Sequence, residues 1–299
     1  MTEETKTKNW YDKSYKILLV IPILFLILCL VYLVNFNAKN GDMIYKDVSL
    51  TGGTTITLVD SNINIEDLKN TLTAKFQDIS IRQISDLTIG TQKGVVIETK
   101  SSIEEIKPVL EEYLGYKLDQ NNSSIEFSGS ALSRGFYQQT RFAIIIAFVL
   151  MAVVVFIIFR TIIPSFAVIF AAFADIVMTI TIVDILGLHL SLAGVIGFLM
   201  LIGYSVDTDI LLTSRVLKRT EGTINERIYG AFKTGITMTL TSLVAVGVSL
   251  FIIYHLSDTL RQIFTILIIG LFFDIVNTWL TNASIIKWYA ESKELGVLK

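Results

Sequence analysis

Apolar residues in this chain are gathered into six long runs, and the polar stretches between them differ sharply in length. The first run, Ile17–Val34, is long enough at about 1.5 Å per residue to cross a hydrocarbon core of about 30 Å. It sets a first span at 17–35. It outruns the usual h-region of about 7–15 residues and no small-x-small cleavage site follows, so it reads as a retained anchor. Five more spans are expected at 142–159, 164–186, 192–213, 235–254 and 262–283, occupying 140–284 together. Pro164 fits the first turn of its helix, where the missing N–H costs nothing.

Between the first two spans, the hydrophobic period changes. Residues 45–130 alternate short β-type runs with amphipathic helix patterns: a strand over Val48–Val59, a helix over Ile65–Phe76, strands over Ile79–Ile84 and Val95–Thr99, a helix over Ile103–Leu114 and a strand over Ser124–Phe127. Ser101 or Ser102, three residues before Glu104 or Glu105, predicts a capping box. Strand–helix–strand–strand–helix–strand is the ferredoxin-like order. The expected fold is thus an α-helical polytopic membrane protein of six transmembrane helices with an inserted α+β ferredoxin-like domain. Gly52 and Gly53 beside Thr54 suit a bulge or a close backbone approach in the first strand. Asn121 and Asn122 each begin an Asn-x-Ser sequon.

Composition agrees with this pattern. Of 299 residues 52% are hydrophobic, and the mean hydropathy is +0.61, beyond the range of ordinary soluble domains. Lys and Arg crowd one side: Lys6, Lys8, Lys13 and Lys16 before the first span, the basic loop 214–234, and Lys287, Lys293 and Lys299 at the end. The short loops 187–191 and 255–261 hold only Arg261. The positive-inside rule then puts residues 1–16 and the tail 285–299 in the cytoplasm, and residues 36–140 outside a plasma membrane. A net charge of −2 gives no reason to expect a nucleic-acid partner. One cysteine, Cys29, rules out an intramolecular disulfide, and two histidines in different loops, His189 and His255, argue against a histidine metal site. No Gly-x-x-x-x-Gly-Lys-Ser/Thr occurs, so ATP use is not expected. No cofactor and no metal are called for.

Candidate chemistry lies in the polar residues that interrupt the apolar runs. Asp207 and Asp209 sit in span four, in Gly-Tyr-Ser-Val-Asp-Thr-Asp; Asp175 lies midway along span three and Asp184 near its outer end. An ionised Asp at the centre of a membrane helix costs about 2.5–3.5 kcal/mol, so such residues point to a protein-lined site. Asp207 and Asp209 are about 200° apart around the helix, so one of them faces the deepest part of the bundle. Asp207 is the expected one, since Gly203 at i−4 shares its face. Gly197 and Gly203 are the expected packing glycines. In span six Asp274, Asn277, Thr278 and Thr281 fall at i, i+3, i+4 and i+7, a polar stripe that must avoid lipid. Thr237 and Thr241 in span five are supporting hydroxyls, though each can also bond its own backbone. Carboxylates buried on spans three, four and six lose water and repel one another, which is the physical basis of a proton or cation relay.

With Leu50-Thr-Gly-Gly-Thr54 in the outer segment and Gly203-Tyr-Ser-Val-Asp-Thr-Asp209 in the fourth span, the chain resembles the SecF subunit of the SecD–SecF protein-export complex over nearly its whole length. The resemblance implies a pseudo-symmetric SecD-like subunit in the resistance–nodulation–division superfamily, a place beside a SecY-type translocon, and unfolded preproteins as substrates. In bacterial members it implies use of the proton-motive force. Many of those read Gly-Tyr-Ser-Val-Asn-Asp-Thr here, which puts their Asp on Thr208 of this chain, whereas Asp207 matches the membrane Asp of SecD-like sequences. The Arg that bacterial members place in span five falls near Thr237. The chain therefore resembles an archaeal-type variant, and the function expected is a non-enzymatic export subunit. Two alternatives stand beside it: a proton-driven small-molecule exporter of the same superfamily acting as an oligomer, and a membrane scaffold without coupling. An intramembrane aspartyl protease is disfavoured, because Gly-x-Gly-Asp is absent.

Overall fold

A computed structural model describes residues 10–76, 79–85, 92–254 and 257–295. Lys6, Lys8, His255 and Lys299 lie outside the described residues. Among the described residues, six helices are long and apolar enough to cross a membrane. They are α1 (Trp10–Asn40), α5 (Ser130–Phe159), α6 (Ile162–Ile185), α7 (Leu192–Lys218), α8 (Ile224–Ile253) and a last rod. That rod is built from α9 (Asp258–Val276), a π-helical turn (Asn277–Asn282) and α10 (Ala283–Glu294).

Several helices outrun their apolar runs. α8 begins at Ile224, eleven residues before its expected span at 235, because Thr223 and Glu226 close a reciprocal capping box. Hydrogen-bonded turns continue into water wherever caps and amphipathic contacts support them, which a hydropathy window does not register.

α6, α7 and α9 form the centre of the bundle, where Val183, Phe198, Leu201, Ile266 and Leu267 interdigitate. α1 packs on α6 through Leu26, Cys29 and Leu33 against Ala174 and Met178. Toward the start of α1, Leu212, Val216, Ile228, Ala231 and Ile286 make a second core with Trp279. At that end Lys287, 1% exposed, bonds Asp12 Oδ1 at 2.6 Å, Glu291 Oε1 at 3.0 Å and Asn225 Oδ1. It also lies over the rings of Tyr11 and Tyr15. Pairing of this kind is what makes a buried ammonium tolerable.

The segment between α1 and α5 holds α2 (Val48–Thr51), β1 (Gly53–Leu58), α3 (Ile65–Thr73), β2 (Ile79–Ser85), β3 (Gln92–Thr99), α4 (Ile103–Leu114) and β4 (Ser123–Ser128). The strands form one antiparallel sheet in the order β2-β3-β1-β4. Ile56 and Leu58 of β1 and Val95 and Ile97 of β3 bury the face covered by Leu68 and Leu72 of α3 and Ile106 and Leu110 of α4.

Two local expectations are corrected here. Val48–Val59 is not one strand: Val48–Thr51 is a helical turn, ended by Gly52 at φ +85° with its N–H on Val48 O. Gly53, at φ +145°, lies against the Thr99–Lys100 backbone so closely that a Cβ has no room, and Thr54 is buried with its hydroxyl on Ser101 O. The capping box at α4 is also absent, since Ser102 is the N-cap but its side chain makes no capping bond. The side-chain cap falls instead on α3, where Asn64 Oδ1 accepts from Glu66 N and Asp67 N. At the sequons, Asn121 is exposed and Asn122 Nδ2 donates to Lys117 O.

The linker after α1 is tied to the bundle on two sides. Leu190 N donates to Tyr45 O and Asp47 N donates to Leu190 O, while Tyr45 N donates to Asp184 Oδ1. Asp42 receives Tyr137 Oη of α5 at 2.8 Å and pairs with Lys46 at 2.7 Å.

Candidate functional site

Three of the five singled-out carboxylates meet. Asp175 of α6, Asp209 of α7 and Asp274 of α9 are all fully buried. Ser205 Oγ donates to Asp175 Oδ2 at 2.5 Å, and Asn277 Nδ2 donates to Asp175 Oδ1 at 2.7 Å. Thr281 Oγ1 in turn donates to Asn277 Oδ1. On the other side of the cluster Thr278 Oγ1 lies 2.9 Å from Asp209 Oδ1 and 3.2 Å from Asp274 Oδ1. Asn282 Nδ2 donates to Asp209 Oδ1 at 2.7 Å. A hydroxyl owns one proton, so Thr278 donates to only one of the two carboxyls at a time.

Electrostatically the cluster is one-sided. Among the described residues, no ion pair reaches Asp175, Asp209 or Asp274; their neighbours are neutral hydroxyls and amides. Asp209 Oδ2 and Asp274 Oδ2 are buried without a hydrogen-bond partner. No group of three or more His, Cys, Asp and Glu able to hold a metal occurs among the described residues.

The sequence expectation for span four is corrected. Asp207 is exposed on the outside of α7, and Asp209 is the residue that enters the bundle. Gly203 has open space where its Cβ would be, so it marks the outer face rather than a packing face. Gly197 is the packing glycine, with Ile263 O and Ile266 at 3.3 Å from an added Cβ. Steps of four from Gly197 reach Leu201, Ser205, Asp209 and Thr213, all buried, and so trace the inner face. Two further glycines accept close neighbours: Gly235 beneath the Trp279 ring and Gly270 beneath Leu201.

Thr237 and Thr241 lie on the exposed face of α8 and bond Lys233 O and Met238 O of their own helix, away from the carboxylates. The stripe of Asp274, Asn277, Thr278 and Thr281 is buried throughout. Asp184 stands apart from the cluster, holding the linker at Tyr45.

Ser205 and Asn282 were missed by sequence reasoning. Each carried a signal: Ser205 is four before Asp209, and Asn282 is four after Thr278. Asn282 fell at the margin of an expected span that ended at 283, and the π-helical turn places it inside the bundle. A cleft of about 1410 Å³ lies between α1, α8 and the last rod, with Trp279, Leu280, Tyr229 and Lys287 on its wall.

Six apolar helices, a small antiparallel sheet between the first two, and carboxylates gathered inside the bundle define a polytopic membrane protein with a polar centre. Residues 108–292, more than half of the chain, match the family model described as protein export membrane protein SecD/SecF, C-terminal. The chain is 39% identical to the protein-export membrane protein SecF of Methanocaldococcus jannaschii over 283 residues, 93% of this chain and 96% of that one. It is 37% identical to the SecF of Methanolacinia petrolearia, over 92% of this chain and 94% of that one. The chain belongs to the SecF family of protein-export membrane proteins. Its fold is also similar to the crystal structure of SecDF from Thermus thermophilus, a translocon-associated membrane protein, with a TM-score of 0.73 at 18% identity. That match covers 97% of this chain and 40% of the SecDF chain.

Proposed function

We propose that this chain assists protein export as one half of a two-part membrane assembly, with a SecD-like subunit as the other half. In this reading it works beside a SecY-type channel on unfolded preproteins, and its intramembrane carboxylates couple that work to an ion gradient. The sheet unit, whose strand order β2-β3-β1-β4 is that of a ferredoxin-like domain, occupies 45–130 on the extracytoplasmic side. Both termini, 1–16 and 285–299, are cytoplasmic in this reading, which the Lys and Arg distribution supports.

The observation that carries the reading is the open face of α7. Ile196, Met200, Gly203 and Asp207 fall at i, i+4, i+7 and i+11, and all four are exposed. Asp207 stands near the middle of a helix of 27 residues, where lipid is a poor neighbour for a carboxylate. A second helical bundle laid along this face removes Asp207 from lipid, and the bare glycine lets a helix approach closely.

The test is cross-linking and transport in membranes that contain the cognate SecD-like subunit. Cys29 is buried, so a Met200→Cys variant carries the one accessible thiol. It is expected to cross-link to the SecD-like subunit, and Asp207→Asn is expected to weaken gradient-stimulated preprotein translocation. Cross-links only between copies of this chain would favour the small-molecule exporter. Unchanged export by Asp207→Asn at every imposed gradient would remove the coupling role.

A further inference from the structure

Two overlapping Asn-x-Ser sequons, Asn121-Asn122-Ser123 and Asn122-Ser123-Ser124, take no part in the export reading. They lie in the turn between α4 and β4, where the two asparagines are held in opposite ways. Asn122 is turned inward: its Oδ1 accepts from Asp119 N at 2.8 Å and its Nδ2 donates to Lys117 O at 2.8 Å, so both ends of the amide are engaged. Asn121 is exposed, with its backbone N–H on Asp119 Oδ1. Its side chain makes no hydrogen bond among the described residues, which leaves the carboxamide in water.

We propose that Asn121 is an N-glycosylation site, taking an oligosaccharide from a polyprenyl-phosphate-linked donor on the extracytoplasmic face of the membrane. The inference rests on the reading that places residues 45–130 on that side. In the transfer, Asn121 Nδ2 bonds to the anomeric carbon of the first sugar. The bond from that carbon to the lipid phosphate oxygen breaks, its electron pair leaves with the phosphate, and one amide proton passes to a base of the transferase. Nothing is oxidised or reduced.

Three features select Asn121 over its neighbour. A sugar on Asn121 Nδ2 meets solvent and breaks no bond of the fold. A sugar on Asn122 Nδ2 has to be fitted against the Lys117 carbonyl, and displacing that side chain strips a partner from both Lys117 O and Asp119 N. The backbone separates the two sequons as well: Asn122 O accepts from Val59 N, and Ser123 and Ser124 pair with Leu58 and Thr57. The second sequon is thus drawn wholly into the sheet, whereas Asn121 precedes the ladder. The six residues of β4, about 20 Å of strand, then separate the modified residue from the point where the chain returns to the bundle.

The test is peptide mass spectrometry of the full chain purified from membranes of the organism that makes it. One tryptic peptide, Leu118–Arg134, carries both asparagines. It is expected to gain the mass of one oligosaccharide, with electron-transfer fragmentation placing the sugar on Asn121. Asn121→Gln is expected to abolish the gain. Ser123→Ala, which removes the first sequon and leaves the second intact, is expected to abolish it too. Asn122→Gln, which does the reverse, keeps the sugar on Asn121. An unmodified peptide from the unaltered chain, or sugar on Asn122 in that chain or in Ser123→Ala, overturns the proposal. Asn121→Cys separates this inference from the reading beneath it, since Cys29 is buried and the new thiol is the accessible one. Labelling of that thiol by a membrane-impermeant maleimide in intact cells, beside an unmodified Asn121 in the unaltered chain, overturns the glycosylation site alone and leaves the outer placement standing. A thiol labelled only after the membrane is opened overturns the outer placement, and the site with it.

Discussion

Asp175 shows how a carboxyl is kept inside a bundle of apolar helices. Both its oxygens receive a donor, one from Ser205 and one from Asn277, and each donor comes from a different helix. Removing the Ser205 hydroxyl leaves Oδ2 buried with nothing in its place. Ser205→Ala is therefore expected to cost about 1–3 kcal/mol, the penalty for an orphaned buried acceptor, read as a lowered midpoint in detergent unfolding. The neighbouring Thr179→Val is expected to be close to neutral, because the Asp175 carbonyl it releases keeps its helical bond. Asp209 differs from Asp175 in having both its donors, Thr278 and Asn282, on a single oxygen. That asymmetry leaves Asp209 Oδ2 buried without a hydrogen-bond partner, while both oxygens of Asp175 are satisfied.

Among the elements, the linker after α1 decides how the sheet unit is held. Lys46 and Asp42 make an i, i+4 pair, and Tyr137 of α5 donates to the same carboxyl. Burial by itself pushes the Asp42 carboxyl up, but the bonds from Lys46, Tyr137 and the Met43 N–H outweigh it and hold the group below its ordinary value. A carboxyl lower in the folded than in the unfolded chain adds stability above its ordinary value, and that stability is lost as pH falls through the folded one. The linker is thus expected to hold at neutral pH and to loosen in acid. Proteolysis of residues 41–47 followed from pH 7 downward reads this. Asp42→Asn is expected to open the linker at neutral pH and to flatten its pH dependence. In the last rod, the π-helical turn brings Asn277, Thr278, Thr281 and Asn282 all into the interior.

At the scale of the molecule, the sheet unit has a core of its own, distinct from the cores of the helical bundle. The sheet has its own core, with Ile56, Leu58, Leu72, Ile97, Ile106 and Leu110 fully buried. Its first and last strands pair from Gly53↔Ser128 to Leu58↔Ser123, which brings the points of entry and exit side by side. A fragment of residues 53–128 is expected to fold alone, with a cooperative denaturant transition followed by circular dichroism. Ile97→Ala in that fragment is expected to cost about 2–5 kcal/mol, the range for truncating a buried Ile in a packed core. An isolated fragment without a cooperative transition would show that the bundle holds the sheet together.

The sequence by itself determined the number of spans, the order of strands and longer helices in the segment between α1 and α5, though not its first helical turn α2, and the polar stripe of the last rod. Each depends on a period, 3.6 or 2, or on a length set by the hydrocarbon core, and periods and lengths are properties of the chain. It did not determine which of Asp207 and Asp209 turns inward. Two residues about 200° apart on one helix are equivalent until neighbouring helices choose a face. Gly203 misled for the same reason, since a glycine reports room for an approach without saying whether α9 or an outside helix makes it. Only the tertiary structure joined Asp175, Asp209, Asp274 and Asn282, whose separations along the chain run from 8 to 107 residues. Contacts of that kind arise from the packing of α6, α7 and the last rod against one another, which no local pattern encodes.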